Sequence, residues 1–352
     1  MSSKPASPSP DTAAPAARAT IEDVAQKAGV SKATVSRFLN RRDELLTPAI
    51  AQRVETAIAA LGYSPSPMAQ ALKRGRSRLI GLVVADVTNP FSVAVLRGAE
   101  KACQEAGYLL MLFNLGDDGR RERDAIELLD AYQVDGIILN TLGRDEGAAA
   151  AAARHGRPVV LVDRRHADMP ADFVSLDNAG AVRGACDHLL QSGWSQFLFV
   201  TEPMAGVSSR TEREAAFRLF LADHPEVRGR SLESHVEEPG RLDAQLRGGR
   251  EGGRPLAVLA SNAVITLRVA AAVARLGWRF GEDLGFVGID ETDWAPLVGP
   301  GLSTVAQPTE ALGRLATACL LERLQGRDVP PRQILLPGTL KVRGSSVRKT
   351  SG

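Results

Sequence analysis

The chain has 352 residues, of which 44% are hydrophobic and 24% are charged, and its formal net charge is +2. These values are typical of a globular protein and exclude both a polyacidic chain and one that is basic along its whole length. No apolar run reaches the roughly 18 residues that suggest a membrane-spanning helix, so no membrane partner is expected. The N-terminus shows no secretory segment, and Cys103, Cys186 and Cys319 are widely spaced, so we expect a cytoplasmic (nucleoid-associated) protein.

The charge is unevenly distributed along the chain. Residues 1–19 are rich in Pro, Ser and Ala and are predicted to be a disordered tail. Residues 20–78 contain ten basic and five acidic side chains, a net charge of +5, whereas residues 79–352 carry −4. A basic N-terminal module attached to an acidic body favours DNA as the partner of that module.

Three short helices are predicted in residues 20–64. Thr20, Ser31 and Thr47 have the residue types that cap helix N-termini, and Gly29 and Gly62 have the freedom to end helices in a left-handed conformation. The helices predicted from these signals and from the apolar spacing span Ile21 to Ala28, Lys32 to Leu39 and Pro48 to about Leu61. Two helices joined by a Gly-Val-Ser turn in a basic segment indicate a helix-turn-helix DNA-binding unit.

From residue 79 onward, short apolar runs alternate with helical stretches. Strands are predicted at 79–84, 108–113, 136–139, 159–162, 197–201, around His235, at 256–260 and at 284–289. Helices are predicted at 92–106, 120–132, 148–155, 180–192, 211–224, 241–249 and 264–276, with glycines weakening the one at 241–249. This alternation predicts an α/β fold with parallel sheets, and its length predicts two lobes with a ligand cleft between them.

Motifs of the common enzyme classes are missing from the sequence. GxSxG, HExxH, GxxxxGK[ST] and a strand-led GxGxxG do not occur, and the glycine-rich run 248–253 follows no strand. The five histidines are dispersed, and His188 is expected to pack in a helix. We therefore expect no enzyme, no cofactor and no metal site. A transport-type binding protein with the same lobes would need an export signal and would lack the basic helix-turn-helix.

Several segments resemble the LacI/GalR family of transcriptional repressors. The matching segments are residues 19–40, 61–73, 80–91, 134–138, 158–164, 287–290 and 302–308. The resemblance implies a DNA-binding headpiece at 20–64, a hinge helix and linker at 65–78, and a core at 79–352 like periplasmic sugar-binding proteins. Lobe 1 would comprise about 79–176 and 308–337, and lobe 2 about 177–307 and 338–346. It also implies a homodimer on a pseudo-palindromic operator. The tail 344–352 has no leucine heptads of the kind that link dimers into tetramers through a coiled coil, so a dimer is expected.

The DNA-contacting residues follow partly from chemistry and partly from this resemblance. Lys32 and Arg37 can donate to guanine, Ala33 offers an apolar contact, and Thr34 and Ser36 suit phosphates. The family reads bases from the start of this second helix, and Leu72 matches the leucine that wedges into the central base step. The complete expected set is Thr20, Lys32, Ala33, Thr34, Ser36, Arg37, Asn40, Met68, Ala69, Leu72 and Lys73.

The resemblance also implies a set of effector-binding residues in the cleft. These are Phe91, Ser92, Asp163, Arg210, Arg213, Asn262, Asp290, Trp294 and Gln307. The family commonly has Asn-Asp near position 262, whereas this chain has Asn262-Ala263. Arg210 and Arg213 lie close together in sequence, and Arg164 and Arg165 follow Asp163. This surplus of guanidinium groups favours a carboxylate or phosphate ligand, and residues 290–301 resemble the gluconate and ketogluconate branch. A sugar acid is the favoured effector, and a neutral sugar or a nucleoside or purine is the alternative.

Overall fold

The structure is a computed structural model that describes residues 19–39, 46–64, 76–116, 118, 120–141, 143, 146–250 and 253–348. The chain divides into two compact units, residues 1–77 and 78–352. Among the described residues, no helix combines the length and the apolar character that a bilayer span requires.

The described part of the N-terminal unit contains three helices. They are α1 (Ile21–Ala28), α2 (Lys32–Leu39) and α3 (Pro48–Leu61), with the bounds that the sequence predicted. Thr20 and Asp23 form a reciprocal capping box at the start of α1, and Gly29 ends the helix with a φ of 63°. Thr47 precedes α3 as predicted, but its side chain makes no capping hydrogen bond.

A small apolar core holds these helices together. Val24 and Val35 are fully buried, and Ala25, Ala28, Val54 and Ala57 complete the buried cluster. The charged and polar side chains of α2 are left on the outside, because only one face of a short helix can pack on its neighbours.

The larger unit contains two six-stranded sheets with helices between successive strands. Its helices are α4 (Pro90–Glu105), α5 (Arg121–Ala131), α6 (Glu146–His155), α7 (Asn178–Gln191), α8 (Ser208–Asp223), α9 (Pro239–Arg250), α10 (Ala263–Leu276) and α11 (Thr309–Leu324). Its strands are β1 (Leu79–Val84), β2 (Leu109–Asn114), β3 (Gly136–Leu139), β4 (Val159–Val162), β5 (Asp172–Leu176), β6 (Gln196–Thr201), β7 (Arg228–Glu233), β8 (Leu256–Ala260), β9 (Gly285–Ile289), β10 (Ser303–Ala306), β11 (Gln333–Leu336) and β12 (Thr339–Lys341).

The two sheets share one topology. Sheet one has the order β11-β5-β4-β3-β1-β2, and sheet two has the order β12-β10-β9-β8-β6-β7. The pairings are parallel except for β10 with β12, which is antiparallel. The predicted α/β class with parallel sheets is thus confirmed. The chain passes between the sheets after β5, after β10 and after β11.

Several sequence-predicted elements need correction. The strand expected around His235 lies at Arg228–Glu233 instead, and the doubtful helix 241–249 is a regular helix that begins at Pro239. Strands β5, β10, β11 and β12 and helix α11 were not predicted. Polar residues interrupt β5 and β7, and the C-terminal strands are short, so the apolar-run signal is weak in these places.

Candidate functional site

Polar side chains collect where corresponding strands of the two sheets end. Asp163 follows β4 and Asp290 follows β9, which occupy the same place in their sheets. Both aspartates have a left-handed backbone, with φ of 65° and 82°. A non-glycine residue in this conformation is uncommon and concentrates at functional sites, so the pair marks this edge as a candidate ligand site.

These strand ends line a cavity in the larger unit. Its walls are formed by Ala85, Asp86, Asn89, Phe91, Ser92, Asn140, Asp163, Arg164, Glu202, Ser209, Arg210, Arg213, Asn262, Val264, Asp290 and Gln307. Both sheets contribute, and Gln307 comes from the crossover between β10 and α11. The cavity therefore lies between the two sheets.

Eight of the nine expected effector residues line this cavity. The ninth, Trp294, packs on the apolar core of sheet two with Ala295 and Phe286 and is not among the lining residues. Sequence reasoning did not include Asn140, Arg164, Glu202 or Ser209 in the set. Asn140 and Glu202 directly follow β3 and β6, so the rule that ligands bind at the carboxyl ends of parallel strands could have found them.

Arg213 is the most buried arginine of the cavity, with 4% of its surface exposed. Its Nε donates to Asn178 at 2.8 Å and its Nη1 donates to the Ser261 carbonyl at 2.6 Å. Within the described part of the chain, Nη2 has no hydrogen-bond partner and lies 3.8 Å from an Asp163 oxygen. The Arg213 side chain is thus held by hydrogen bonds at Nε and Nη1, and its Nη2 is available to donate to a ligand.

Asn178 connects Arg213 to the outer rim of the cleft. Its amide nitrogen donates to Glu212 at 2.8 Å, and the other Glu212 oxygen lies 3.2 Å from Nε of Arg165. The backbone N–H of Arg165 donates to Ser208 at 2.8 Å. Arg165 follows β4 of sheet one and Ser208 begins α8 beside sheet two, so these contacts hold the two lobes together next to the cavity.

Glu202 and Asp290, two carboxylates of the cavity, have close partners. Glu202 accepts from Arg210 at 2.7 Å and from Asn262 at 2.6 Å. Burial raises the pKa of Asp290 above its ordinary value, although the charge of Arg213 and hydrogen bonds from Ala263 and Gln307 oppose this shift. The carboxyl groups of Asp290 and Asp163 can accept hydrogen bonds from ligand hydroxyl groups.

The expected DNA-contacting residues of α2 lie on the surface of the N-terminal unit. Lys32, Ala33 and Arg37 are exposed, and Lys32 forms a 2.7 Å ion pair with Glu22. Thr34 contacts the Ser31 hydroxyl at 2.9 Å. Thr20 bonds Asp23 at 2.7 Å in the capping box, so its hydroxyl already stabilises α1.

Most of the other expected DNA contacts lie in segments that the structure does not describe. Asn40, Met68, Ala69, Leu72 and Lys73 lie outside the described residues. Ser36 is half-buried on α2 and has an interaction of its own.

A helix-turn-helix unit followed by a two-sheet core with a polar cavity defines the class of ligand-controlled bacterial transcription regulators. Residues 20–66 match the model of bacterial regulatory proteins of the lacI family. Residues 77–238 match the periplasmic binding proteins and sugar binding domain of LacI family, and residues 186–346 match the periplasmic binding protein-like domain.

Curated relatives agree with these family matches. The HTH-type transcriptional regulator PtxS of Pseudomonas plecoglossicida is 49% identical over 94% of this chain and 96% of its own length. The HTH-type transcriptional regulator KdgR of Bacillus subtilis is 38% identical over 93% of this chain and 97% of its own length. The chain belongs to the LacI family, as the sequence motifs predicted, and it is a helix-turn-helix transcriptional regulator.

Solved structures show the same architecture. The lac repressor dimer bound to operator and the anti-inducer ONPF superposes with a TM-score of 0.80 at 26% identity, covering 94% of this chain and all of that one. The transcriptional regulator CelR in complex with cellobiose has a TM-score of 0.67 at 27% identity, covering 93% of this chain and all of that one.

Proposed function

We propose that the chain is a homodimeric repressor that binds a pseudo-palindromic operator and whose DNA affinity is set by a sugar acid in the cavity. The headpiece at 20–64 reads DNA, residues 65–78 form the hinge, and the two lobes bind the effector. The lac repressor neighbour, bound to operator as a dimer, and the cellobiose complex of CelR support this arrangement. The observation that carries the effector class is the set of three arginines, Arg164, Arg210 and Arg213, that line one cavity.

The chemistry of the cavity walls suits a hydroxylated anion. Arg164, Arg210 and Arg213 present guanidinium groups, which bind carboxylates well because their N–H groups are fixed in a plane. Asp163 and Asp290 supply acceptors for hydroxyl groups on the same ligand. A ligand that binds the closed cleft more tightly than the open one shifts the equilibrium between them, and DNA affinity changes with it.

Matched acid and neutral ligands test the effector class. We use two pairs of ligands, 2-ketogluconate with fructose and gluconate with glucitol. Within each pair, the acid has a carboxylate where the neutral member has a CH₂OH group, and the two are otherwise the same. We expect one acid to raise the Tm of the full chain, since a ligand at 100 times its Kd stabilises by about 2.7 kcal/mol. Stabilisation by a neutral member and not by its acid would refute the sugar-acid assignment. A mobility shift with and without the stabilising acid then shows its effect on DNA binding.

Arg37→Ala tests the reading role of α2. We expect about 10- to 100-fold weaker binding to a duplex that the wild type selects from a random pool, because a guanine contact is worth about 1–3 kcal/mol. Binding to random duplex should weaken much less, since phosphate contacts dominate there. Fluorescence anisotropy at two salt concentrations measures both affinities.

Arg218→Ala is the matched control for this experiment. Arg218 is an arginine on α8 of the larger unit with a side chain that is 75% exposed. The control should bind the selected duplex like the wild type. Equal losses for Arg37→Ala on selected and random DNA would mean that Arg37 contacts only phosphates.

A further inference from the structure

Arg164 is a buried arginine that counted in the sequence as a sign of an anionic ligand but was not among the nine expected effector residues. It directly follows Asp163 at the end of β4 and lines the cavity, yet only 8% of its surface is exposed. Its Nε and Nη1 atoms have no hydrogen-bond partner among the described residues. The nearest opposite charge is Asp163, whose Oδ2 lies 3.4 Å from Nε.

A buried guanidinium with unused N–H groups is costly to a folded protein. Donors removed from water normally gain a protein acceptor or an ordered water, and charged donors lose the most when they do not. The other cavity arginines differ, because Arg210 is paired with Glu202 and Arg213 is anchored at two of its three nitrogens. Among the arginines that line the cavity, Arg164 therefore has the fewest hydrogen bonds from its guanidinium group to described residues.

The carboxylate of Asp163 does not satisfy the N–H donors of Arg164. Asn140 donates to its Oδ2 at 3.3 Å, Ser209 approaches the same oxygen at 3.5 Å, and Arg213 lies 3.8 Å from Oδ1. Asp163 therefore shares its oxygens among several donors and leaves Nη1 of Arg164 without an acceptor. A ligand oxygen in the cavity would supply that acceptor.

We infer that Arg164 is the specificity-determining residue that selects an anionic over a neutral ligand, by donating from its guanidinium group to the ligand carboxylate. This assignment rests on the proposed effector class of the same cavity. Arg213 then anchors the ligand, whether charged or neutral, and Arg164 adds the contact that only an anion can use fully.

The test measures how much Arg164→Gln weakens the binding of each member of a matched ligand pair. Calorimetry on the full chain gives the affinity for 2-ketogluconate, and the ligand-induced change in Tm compares it with fructose. We expect Arg164→Gln to lose about 10- to 100-fold in affinity for the acid, the value of one hydrogen bond to a charged group. Fructose should produce the same small change in Tm with both proteins. Arg164→Lys keeps the charge and should recover part of the loss.

The unliganded variant gives a second measurement that separates a binding role from a structural one. Arg164→Gln removes two buried donors that have no hydrogen-bond partner, but it also removes the 3.4 Å contact with Asp163, so the Tm of the unliganded protein should change little. Arg183→Gln is the charge-matched control, because Arg183 lies on the outer surface of α7, 3.1 Å from Asp223. It should bind 2-ketogluconate like the wild type.

Three results would overturn the inference. They are an unchanged acid affinity in Arg164→Gln, an equal loss for fructose, and a fall in the Tm of the unliganded variant that accompanies the loss of acid binding. Wild-type chain that binds fructose but not 2-ketogluconate contradicts the sugar-acid proposal itself, and that result is visible before any variant is made.

Discussion

Gly98→Ala is expected to destabilise the larger unit by roughly 3 kcal/mol, near the upper end of what overpacking a close contact usually costs. Gly98 lies in the middle of α4, where that helix crosses α11. A methyl group on Gly98 would overlap the backbone carbonyl of Glu310, and one on Gly313 would overlap the carbonyl of Val95. Because the obstacle on each side is backbone, a side-chain rotation cannot relieve it and the helices must separate.

The same change should also weaken ligand binding. Helix α4 begins beside the cavity with Phe91 and Ser92, and α11 starts directly after the crossover that contains Gln307. Separating the two helices moves these cavity residues apart. We expect a Tm lowered by about 6–12 °C, at 2–4 °C per kcal/mol for a unit of this size, and a weaker affinity for whichever acid stabilises the wild type.

Gly184→Ala provides the matched control for Gly98→Ala. Gly184 lies on the exposed side of α7, and nothing lies within 4 Å of a methyl group placed there. Alanine is the better helix former, so this variant should gain up to about 1 kcal/mol. Equal Tm values for Gly98→Ala and the wild type would show that α4 and α11 do not need their close approach.

Sequence patterns predicted strands with continuous apolar runs well and strands that contain polar residues poorly. The apolar runs of β1, β3, β4 and β8 were predicted to the residue, because strands buried on both faces consist of continuous apolar side chains. Edge strand β7 instead reads Arg-Gly-Arg-Ser-Leu-Glu, and most of it is exposed. Such a strand is defined by its pairing with β6, which the local sequence does not encode.

The cavity was predicted through family resemblance and the strand-end rule, and its misses have separate causes. Trp294 is near Asp290 in sequence, but the turn at Ala295–Leu297 packs it on the core. Arg164 adjoins a predicted residue, yet its lack of partners depends on where Asn140, Ser209 and Arg213 stand in space. Spacing along a chain identifies which residues reach a strand end, whereas hydrogen-bond satisfaction emerges only from the folded arrangement.

Strand β5 was not predicted from the sequence because its first residue is charged. Asp172 is buried with 1% of its surface exposed, a position that apolar patterning does not anticipate. Its carboxylate accepts from Arg323 at 2.9 and 3.0 Å and from Arg332 at 3.1 and 3.2 Å, and the Arg332 backbone N–H donates at 2.8 Å. These arginines are more than 150 residues away in sequence, and they fasten the end of α11 and strand β11 to β5.

Asp172→Asn should therefore cost about 3 kcal/mol, since removing one partner of a buried ion pair leaves the other charges uncompensated. Burial alone would raise the pKa of Asp172, but the hydrogen bonds from Arg323 and Arg332 outweigh it and hold that pKa well below its ordinary value. A depressed pKa in the folded state means that the stabilisation is complete above the unfolded-state pKa of about 3.9 and is lost as the pH falls further.

Urea denaturation of wild type and Asp172→Asn across pH 7 to about 3 measures this effect. The difference in the free energy of unfolding should stay constant down to about pH 5 and then shrink as the wild-type carboxylate is protonated on unfolding. Asp243→Asn is the control, because Asp243 forms a similar two-point pair with Arg275 on the surface. Its cost should stay within about 1 kcal/mol, as for exposed ion pairs. If both variants cost the same at pH 7, burial does not strengthen the Asp172 cluster.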